Sequence, residues 1–368
     1  RPMWFALNGE KAEYQYSYNY QNWYPSAEYE TKNTVKNIGL YDLTPFSKFE
    51  IISEKAHQEL QKICTANIKN EVGKCSYTQM LNSDGGIETD LTVICLDKNY
   101  FRIVSSAATR ERDKFHIKKH LSKEIELRDV TDDYCVFGLF GPKSRDLIKT
   151  ISNENFENDN FKFGTGKYII IENIKIWTQR LSYVGELGYE LYVEFKDAKK
   201  IYELIINKGK DFNLSNCGMH AMDIMRMESG YLHWGHDISP KENQYEAGLN
   251  FAISFKKDIK FLGKDALLEM KDKKQNKRLV MLTLENSKPA KPLLLHDEPI
   301  YLDNKIIGET TSGNYSFNFN KNLSFGYIKS NLSNEELSKK KLYIEVEKEK
   351  YPAKILLKPL KESNFKNI

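Results

Sequence analysis

The period of the hydrophobic pattern changes once along this chain, near Asn276, and that change limits the folds open to it. Before it, strand-like segments are interleaved with segments of helical spacing. After it, "KRLVMLTLEN", "KPLLLHDEPIYLDNKIIGETTSG", "LSFGYIK" and "KKLYIEVEKEKYPAKILLKPL" read as short strands with turn residues between them. Such a run predicts a β-rich C-terminal domain, a small barrel. The expected division is 1–275 and 276–368, with "EMKDKKQNKR" as the linker. A chain of 368 residues is long enough for two or three domains with sizeable cores.

Within the first region, residues 1 to 32 read as irregular aromatic coil. "TKNTVKNIGLYDLTPFSKFEI" predicts a helix, a stop at Gly39 and a strand from Phe46 to Ile52. "EKAHQELQKICTANI" has apolar spacing near 3.6 and predicts a helix. "CSYTQMLNSDGGIETDLTVICL" is a hairpin around Asp84-Gly85-Gly86. "YFRIVSSAATRERDKFHIKKHL" runs from strand to helix with Ser106 and Thr109 near the helix start, and "DDYCVFGLFGPKSRDLIKTI" repeats that order. Two further helices are expected at "DAKKIYELIINKG" and "NCGMHAMDIMRMESGYLHWG".

Composition excludes several classes. Charged residues at 29% and aromatics at 12% fit a globular chain, and a net charge of +4 from 55 basic and 51 acidic residues calls for neither nucleic acid nor an acidic membrane. There is no apolar run long enough for a transmembrane helix, and "RPMWFALNGEKAEY" is not a signal peptide. The missing initiator Met is read as processing or as a piece of a longer chain. The five cysteines are scattered, with no CxxC pair and no zinc-type His spacing. They are expected as buried free thiols of a cytoplasmic protein. Neither GxGxxG nor GxxxxGK[ST] occurs, so no dinucleotide or P-loop domain is expected.

Three segments are candidates for chemistry. In "RLSYVGELGYELYVEF", period-two alternation puts Glu186, Gly188 and Glu190 on one strand face, with Leu187, Tyr189 and Leu191 on the other. A carboxylate there suits a ligand edge with two parallel N–H donors, with Gly188 leaving room for close approach; a solvated strand face with a salt bridge is the plainer reading. In "GMHAMDIMRMESGYLHWGHDISPKENQYEAGL", the methionines predict a buried helical stripe, and Asp223, Arg226 and Glu228 an ion-pair network. His233 and His236 flank a glycine and make a poor metal site, so no metal is expected. The hairpin sets Glu88 and Asp90 on one face, where paired carboxylates either do acid–base work or simply meet water.

The order of the segments is more telling than any one of them. "YTQMLNSDGGIETDL", "FRIVSSAATRERD", "LFGPKSRDLI", "RLSYVGELGYELY", "RMESGYLHWGHDI", "EAGLNFAI", "FLGKDALL" and "TSGNYS" follow one another from Tyr77 to Ser316. Together they resemble the glycine-cleavage T-protein (aminomethyltransferase) family. The likeness is greatest to the C-terminal folate half of dimethylglycine and sarcosine dehydrogenases, whose join after the flavin domain looks like "RPMWF", "QNWYPSAEYE" and "GLYDLTPFSKFEI". The resemblance implies an α+β fold, a three-domain cloverleaf around a channel with a β-barrel as its third part.

It also implies tetrahydrofolate in that channel. Glu190 matches the family's pteridine-binding glutamate, with Glu186 as second choice; Tyr77 and Tyr183 match aromatic folate-lining positions, and Arg226 the folate-contacting arginine. The implied reaction moves a one-carbon unit at the formaldehyde level from an N-methylated amine, giving 5,10-methylenetetrahydrofolate, with Asp90 as the carboxylate acting near N10. FAD would enter only through a separate or upstream oxidoreductase domain or subunit. The chain departs from the T-protein pattern at Thr89, where that family usually has the first of two aspartates, and at Ser106, where it often has Asn. Both departures weigh against lipoyl-arm chemistry. A free-standing aminomethyltransferase or demethylase, a non-catalytic folate-binding assembly factor and a module without its ligand remain alternatives. The assembly factors carry a Lys-Gly-Cys-Tyr type motif, which "SPKENQYEAGL" lacks.

Overall fold

The computed structural model describes every residue except Asn8, and the backbone alone at Asn364. Among the described residues eleven strands precede the barrel: β1 (Ile38–Asp42), β2 (Ser47–Ile52), β3 (Cys75–Leu81), β4 (Ile87–Asp97), β5 (Tyr100–Ser105), β6 (Arg128–Asp129), β7 (Tyr134–Phe140), β8 (Thr165–Ile171), β9 (Ile174–Arg180), β10 (Gly188–Glu194) and β11 (Leu214–Cys217). They form a five-stranded sheet, ordered β3-β4-β5-β2-β6, and a six-stranded sheet, ordered β11-β1-β7-β10-β9-β8. The β-barrel expected in the C-terminal part is present. Strands β12 (Arg278–Leu284), β13 (Pro299–Leu302), β14 (Lys305–Ser316), β15 (Lys321–Ile328), β16 (Leu342–Val346) and β17 (Glu349–Leu356) close into a barrel.

Each unit buries its own apolar face. Helix α1 (Tyr24–Lys36) lies beside β1 and β11, and helix α2 (Ala56–Ile63) packs Leu60 and Ile63 against Phe49, Val93 and Ile103 of the five-stranded sheet. Helix α3 (Arg110–His120) adds Ile117 to that core. Helices α4 (Ser144–Ile151) and α5 (Phe195–Gly209) bring Leu147, Ile148, Ile201 and Ile205 onto Leu139, Tyr189 and Leu191, so the apolar face read from the alternation is the buried one. Helix α6 (Met219–Glu228) supplies Met222 and Met225 to a layer between the two sheets, with Tyr41, Ile94, Phe140 and Tyr192. The methionine stripe is core.

Four local expectations need correction. Helix α1 begins at Tyr24, inside the stretch expected as coil, and Trp4, Trp23 and Tyr24 pack with Ile224 and Phe317. Gly39 is a strand residue, not a helix stop: a Cβ there would lie 2.3 Å from Thr34 Oγ1 and 2.6 Å from the Tyr41 ring. Helix α7 (Lys264–Lys271) takes in Glu269 to Lys271, so the linker is shorter than expected. Glu186 does not share a strand face with Glu190, because Gly185 turns the chain with φ +71° and β10 starts only at Gly188.

A buried ion pair within the five-stranded sheet presents its guanidinium to the six-stranded one. Arg102 of β5 donates from Nε (3.0 Å) and Nη2 (2.7 Å) to Glu50 of β2, with both side chains almost fully buried. The guanidinium lies 4.3 Å from the Tyr134 ring of β7 and 5.1 Å from that of Tyr192 of β10, across the sheet boundary. Removing one member of such a pair strands the other's charge. Glu50→Ala is expected to lower unfolding free energy by about 3–5 kcal/mol, measured by urea denaturation; a loss below about 1 kcal/mol would show that Arg102 is satisfied without Glu50.

Candidate functional site

A cavity of about 1650 Å³ lies among the two sheets, α6 and the barrel. Pockets for drug-sized ligands typically hold about 300–1,000 Å³, so there is space for a ligand of that size and a second small molecule. One wall is built by β3, β4, β9, β10 and the β9–β10 connection and carries Tyr77, Asp90, Gln179, Tyr183, Glu190 and Tyr192. Glu190 stands opposite Gln179 in the β9–β10 ladder. Gln179 Nε2 (2.8 Å) and the Tyr192 hydroxyl (3.2 Å) both donate to Glu190 Oε2. Among the described residues no donor reaches Oε1. Burial pushes the Glu190 carboxyl up from its ordinary value, and those two hydrogen bonds only partly offset it.

Asp90 stands opposite Gln79 in the β3–β4 ladder, and Gln79 Nε2 donates to its Oδ1 at 2.6 Å. Gln244 in turn donates to Gln79 Oε1 at 2.6 Å, which fixes which end of the Gln79 amide faces the carboxylate. Burial raises the Asp90 carboxyl to about 6 against the lowering effect of Gln79 and the Tyr77 hydroxyl. Thr89, one residue earlier, is buried on the other face beside Asp113, which also accepts from Ser105 and Thr109 at 2.7 Å. The position at which this chain departs from the T-protein pattern therefore does not line the cavity, whereas Ser106 does. Tyr77 is 39% exposed and stacks with Phe251 at 6.2 Å; Tyr183 stacks with Tyr231 at 6.0 Å and donates to Leu232 O.

The remaining sequence candidates fare differently. Glu186 is absent from the cavity wall and pairs with Lys361. Glu88 is likewise turned away, onto Arg112, so the two hairpin carboxylates do not act as a pair. Arg226 lines the cavity but is 2% exposed and heavily engaged: Nε donates to Asp223 (2.8 Å), Nη1 to Asp237 (2.5 Å) and Tyr231 O (3.1 Å), Nη2 to Ser312 Oγ (2.8 Å). The Asp223–Arg226 pair expected from spacing is present, whereas Glu228 goes to Ser316 and Asn318. Asp237 and Gln79 were not singled out. Asp237 lies eleven positions past Arg226 in a loop, where no periodicity marks it. His233 and His236 pack ring to ring at 4.7 Å, and no metal-binding group of side chains occurs among the described residues.

With the geometry in place, comparison with known proteins gives the family. Residues 1–257 match the GCVT N-terminal domain and residues 277–361 the glycine cleavage T-protein C-terminal barrel domain. The chain belongs to the glycine-cleavage T-protein family. It is 32% identical to mitochondrial dimethylglycine dehydrogenase of Rattus norvegicus over 98% of this chain and 42% of that protein. It is 31% identical to the aminomethyltransferase of Halothermothrix orenii over 83% of this chain and 84% of that one. The chain thus spans about two-fifths of the length of the dehydrogenases it matches. The crystal structure of the glycine cleavage system aminomethyltransferase T from Bartonella henselae superposes with a TM-score of 0.81 over 95% of this chain and 94% of that one, at 20% identity, which establishes the shared fold. Among the described residues no helix is long and apolar enough to cross a membrane.

The raised Asp90 carboxyl has a consequence for stability. Folded Asp90 keeps its proton to about pH 6, whereas an ordinary aspartate releases it near 3.8. The folded state thus binds more protons between those values, and Asp90's contribution is lost as pH rises through them. Asp90→Asn is expected to melt at a higher temperature than the native chain at pH 7.5, a gain of about 2–3 kcal/mol, shrinking toward pH 4. A lower melting temperature at pH 7.5 would mean that the ionised carboxylate is net stabilising.

Proposed function

We propose that this chain binds tetrahydrofolate in the cavity and transfers to it a one-carbon unit at the formaldehyde level from an N-methylated amine, as the folate part of an amine-oxidising dehydrogenase. The observation that carries the reading is Glu190: a half-buried carboxylate at the cavity wall, held by two donors on Oε2, with Oε1 free of any donor among the described residues. Such a group is costly without a ligand. The pteridine edge, with N3–H beside a 2-amino group, offers the matching donors. When bound, tetrahydrofolate supplies the nucleophilic N5 and the N10 between which the one-carbon unit is held.

The protein's own share is binding, orientation and one proton. Gln179 and Tyr192 fix the Glu190 carboxylate, and Tyr77 and Tyr183 offer ring faces to a flat heterocycle. Asp90, raised to about 6, takes a proton and returns it near neutral pH, the condition for a general base to serve again as acid. Gln79 orients it. Arg226 is assigned to shaping the wall, with few N–H groups left for ligand. Glu186 is left to its ion pair with Lys361. We take the functional regions as 1–275 for folate and 276–368 for the barrel, and FAD as the property of a separate or upstream domain. The similarity to an aminomethyltransferase over 84% of its length favours a second reading, a free-standing transferase.

Titration of the purified chain with 5-formyltetrahydrofolate by calorimetry tests the first step. The native chain is expected to bind, and Glu190→Gln to lose about 2–4 kcal/mol of affinity. Asp90→Asn is expected to bind folate yet lose transfer when an amine-oxidising flavoprotein and dimethylglycine are supplied. Absence of folate binding by the native chain would withdraw the proposal for this chain alone.

A further inference from the structure

The opposite wall of the cavity carries a carboxylate that shares its counter-ion. Along α6, Met219, His220, Met222, Asp223 and Arg226 all face the cavity. Asp223 and Asp237 share one guanidinium, that of Arg226, and among the described residues no other cationic side chain pairs with either carboxylate. Asp237 is wholly buried, accepting from Arg226, His233 N, Thr311 and Ser312. Asp223 takes Arg226 Nε on Oδ1 and Asn314 Nδ2 on Oδ2, yet 37% of its side chain stays open, at the cavity wall. Burial opposes its ionisation, but Arg226 and Asn314 outweigh that and hold the carboxyl below its usual range. The neighbouring imidazoles do not compensate, since burial first of all drives both His220 and His233 down to about 4.

Arg1, Lys48, Lys358 and Lys366 also line the cavity, but none pairs with Asp223, which shares its one guanidinium with Asp237 and keeps an open face for a further cation. The surroundings are aromatic. Trp23 stacks on His220 at 3.6 Å, Tyr14 stacks on Tyr16 at 5.4 Å, and the Tyr14 hydroxyl bonds His220 Nε2 at 2.8 Å. All four rings line the cavity, and Tyr16 is 88% exposed. The stacks hold these rings as one aromatic surface whose open face is that of Tyr16, and an open ring face near a carboxylate is the chemistry that receives methylated ammonium ions.

We propose that Asp223, with Tyr14, Tyr16, Trp23 and His220, forms a subsite for an N-methylated ammonium or iminium cation, distinct from the Glu190–Asp90 wall. The inference rests on the one-carbon reading and deepens it, because it gives the amine a place in this chain. Tyr183 stacks on Tyr231, whose carbonyl accepts from Arg226, and so stands where the two walls meet.

The test is a saturation-transfer NMR titration of the native chain with dimethylammonium chloride, without folate, against 2-propanol as a neutral molecule of similar size that also carries two methyl groups. Dimethylammonium is expected to bind and 2-propanol not. Asp223→Asn removes the charge and Asn314→Lys supplies a tethered counter-ion; each is expected to weaken dimethylammonium by about tenfold or more. Glu190→Gln is expected to leave it unchanged. No saturation transfer to dimethylammonium in the native chain, equal binding of the alcohol, undiminished binding in folded variants, or a parallel loss in Glu190→Gln would each overturn the proposal. The comparison of ammonium with alcohol needs only the native chain, so it holds even where a variant fails to fold. Failure of the folate titration alongside selective dimethylammonium binding would remove the folate reading and leave this site standing.

Discussion

The Arg226 guanidinium is the point on which helix α6, the loop after it and the barrel meet. From helix α6 it reaches its own turn through Asp223, the following loop through Asp237 and Tyr231 O, and the barrel through Ser312, with Phe325 of the barrel 5.4 Å from its charge. Only a planar fork with five donors can serve partners in those directions at once. Asp237 extends the same tie, because Thr311 and Ser312 of β14 both donate to its other oxygen. The barrel is thereby held against α6, whose Met227 packs on Met281, Leu323 and Phe325. The cavity opens beside that contact.

That openness runs against ordinary packing. Interiors are close-packed, and a cavity of about 1650 Å³ forgoes the contacts its lining could have made. The separate cores of the two sheets and the barrel supply the stability instead, each closed around its own Leu, Ile and Val residues. The ionisable groups on the cavity wall follow the same logic. Asp90 and Glu190 are both held above their ordinary values by burial, so both detract from stability at neutral pH. Groups of that kind, in a cleft and each with a named partner, are what a binding and proton-transfer site requires.

Periodicity made the scaffold legible. Leu60 with Ile63, Ile201 with Ile205, and Tyr189 with Leu191 all bury the faces their spacing indicates, and the C-terminal run of short strands forms the barrel. The site was legible only in part. Glu190 and Asp90 stand out as carboxylates among apolar neighbours in strands, where charge needs a reason. Glu186 misled because counting by two assumes an unbroken strand, whereas Ser182 Oγ receives the Glu186 N–H and Gly185 turns the chain. The engagement of Arg226 was hidden for a different reason: Ser312 lies 86 positions away, and only the closed barrel brings it near. Long-range partners of this kind leave no local signal.

Register decides which carboxylate can act. In β4, Glu88, Asp90 and Thr92 fall on one face and Thr89 on the other, so a shift of one residue would exchange Asp90 for Thr89 at the cavity. The irregularity between Met80 and Leu81 lies at the turn end of the β3–β4 pair, and from Met80 backward the ladder sets Gln79 against Asp90. Gln244, from the loop after α6, then fixes the Gln79 amide. The hairpin alone would leave Asp90 facing water beside Glu88. Arg112 draws Glu88 aside, and the loop closes over Gln79, so a single carboxylate is left with a donor on one oxygen and a raised affinity for its proton. A substitution at Thr89 therefore acts on Asp113 behind the sheet, and one at Gln79 or Gln244 acts on the proton at Asp90.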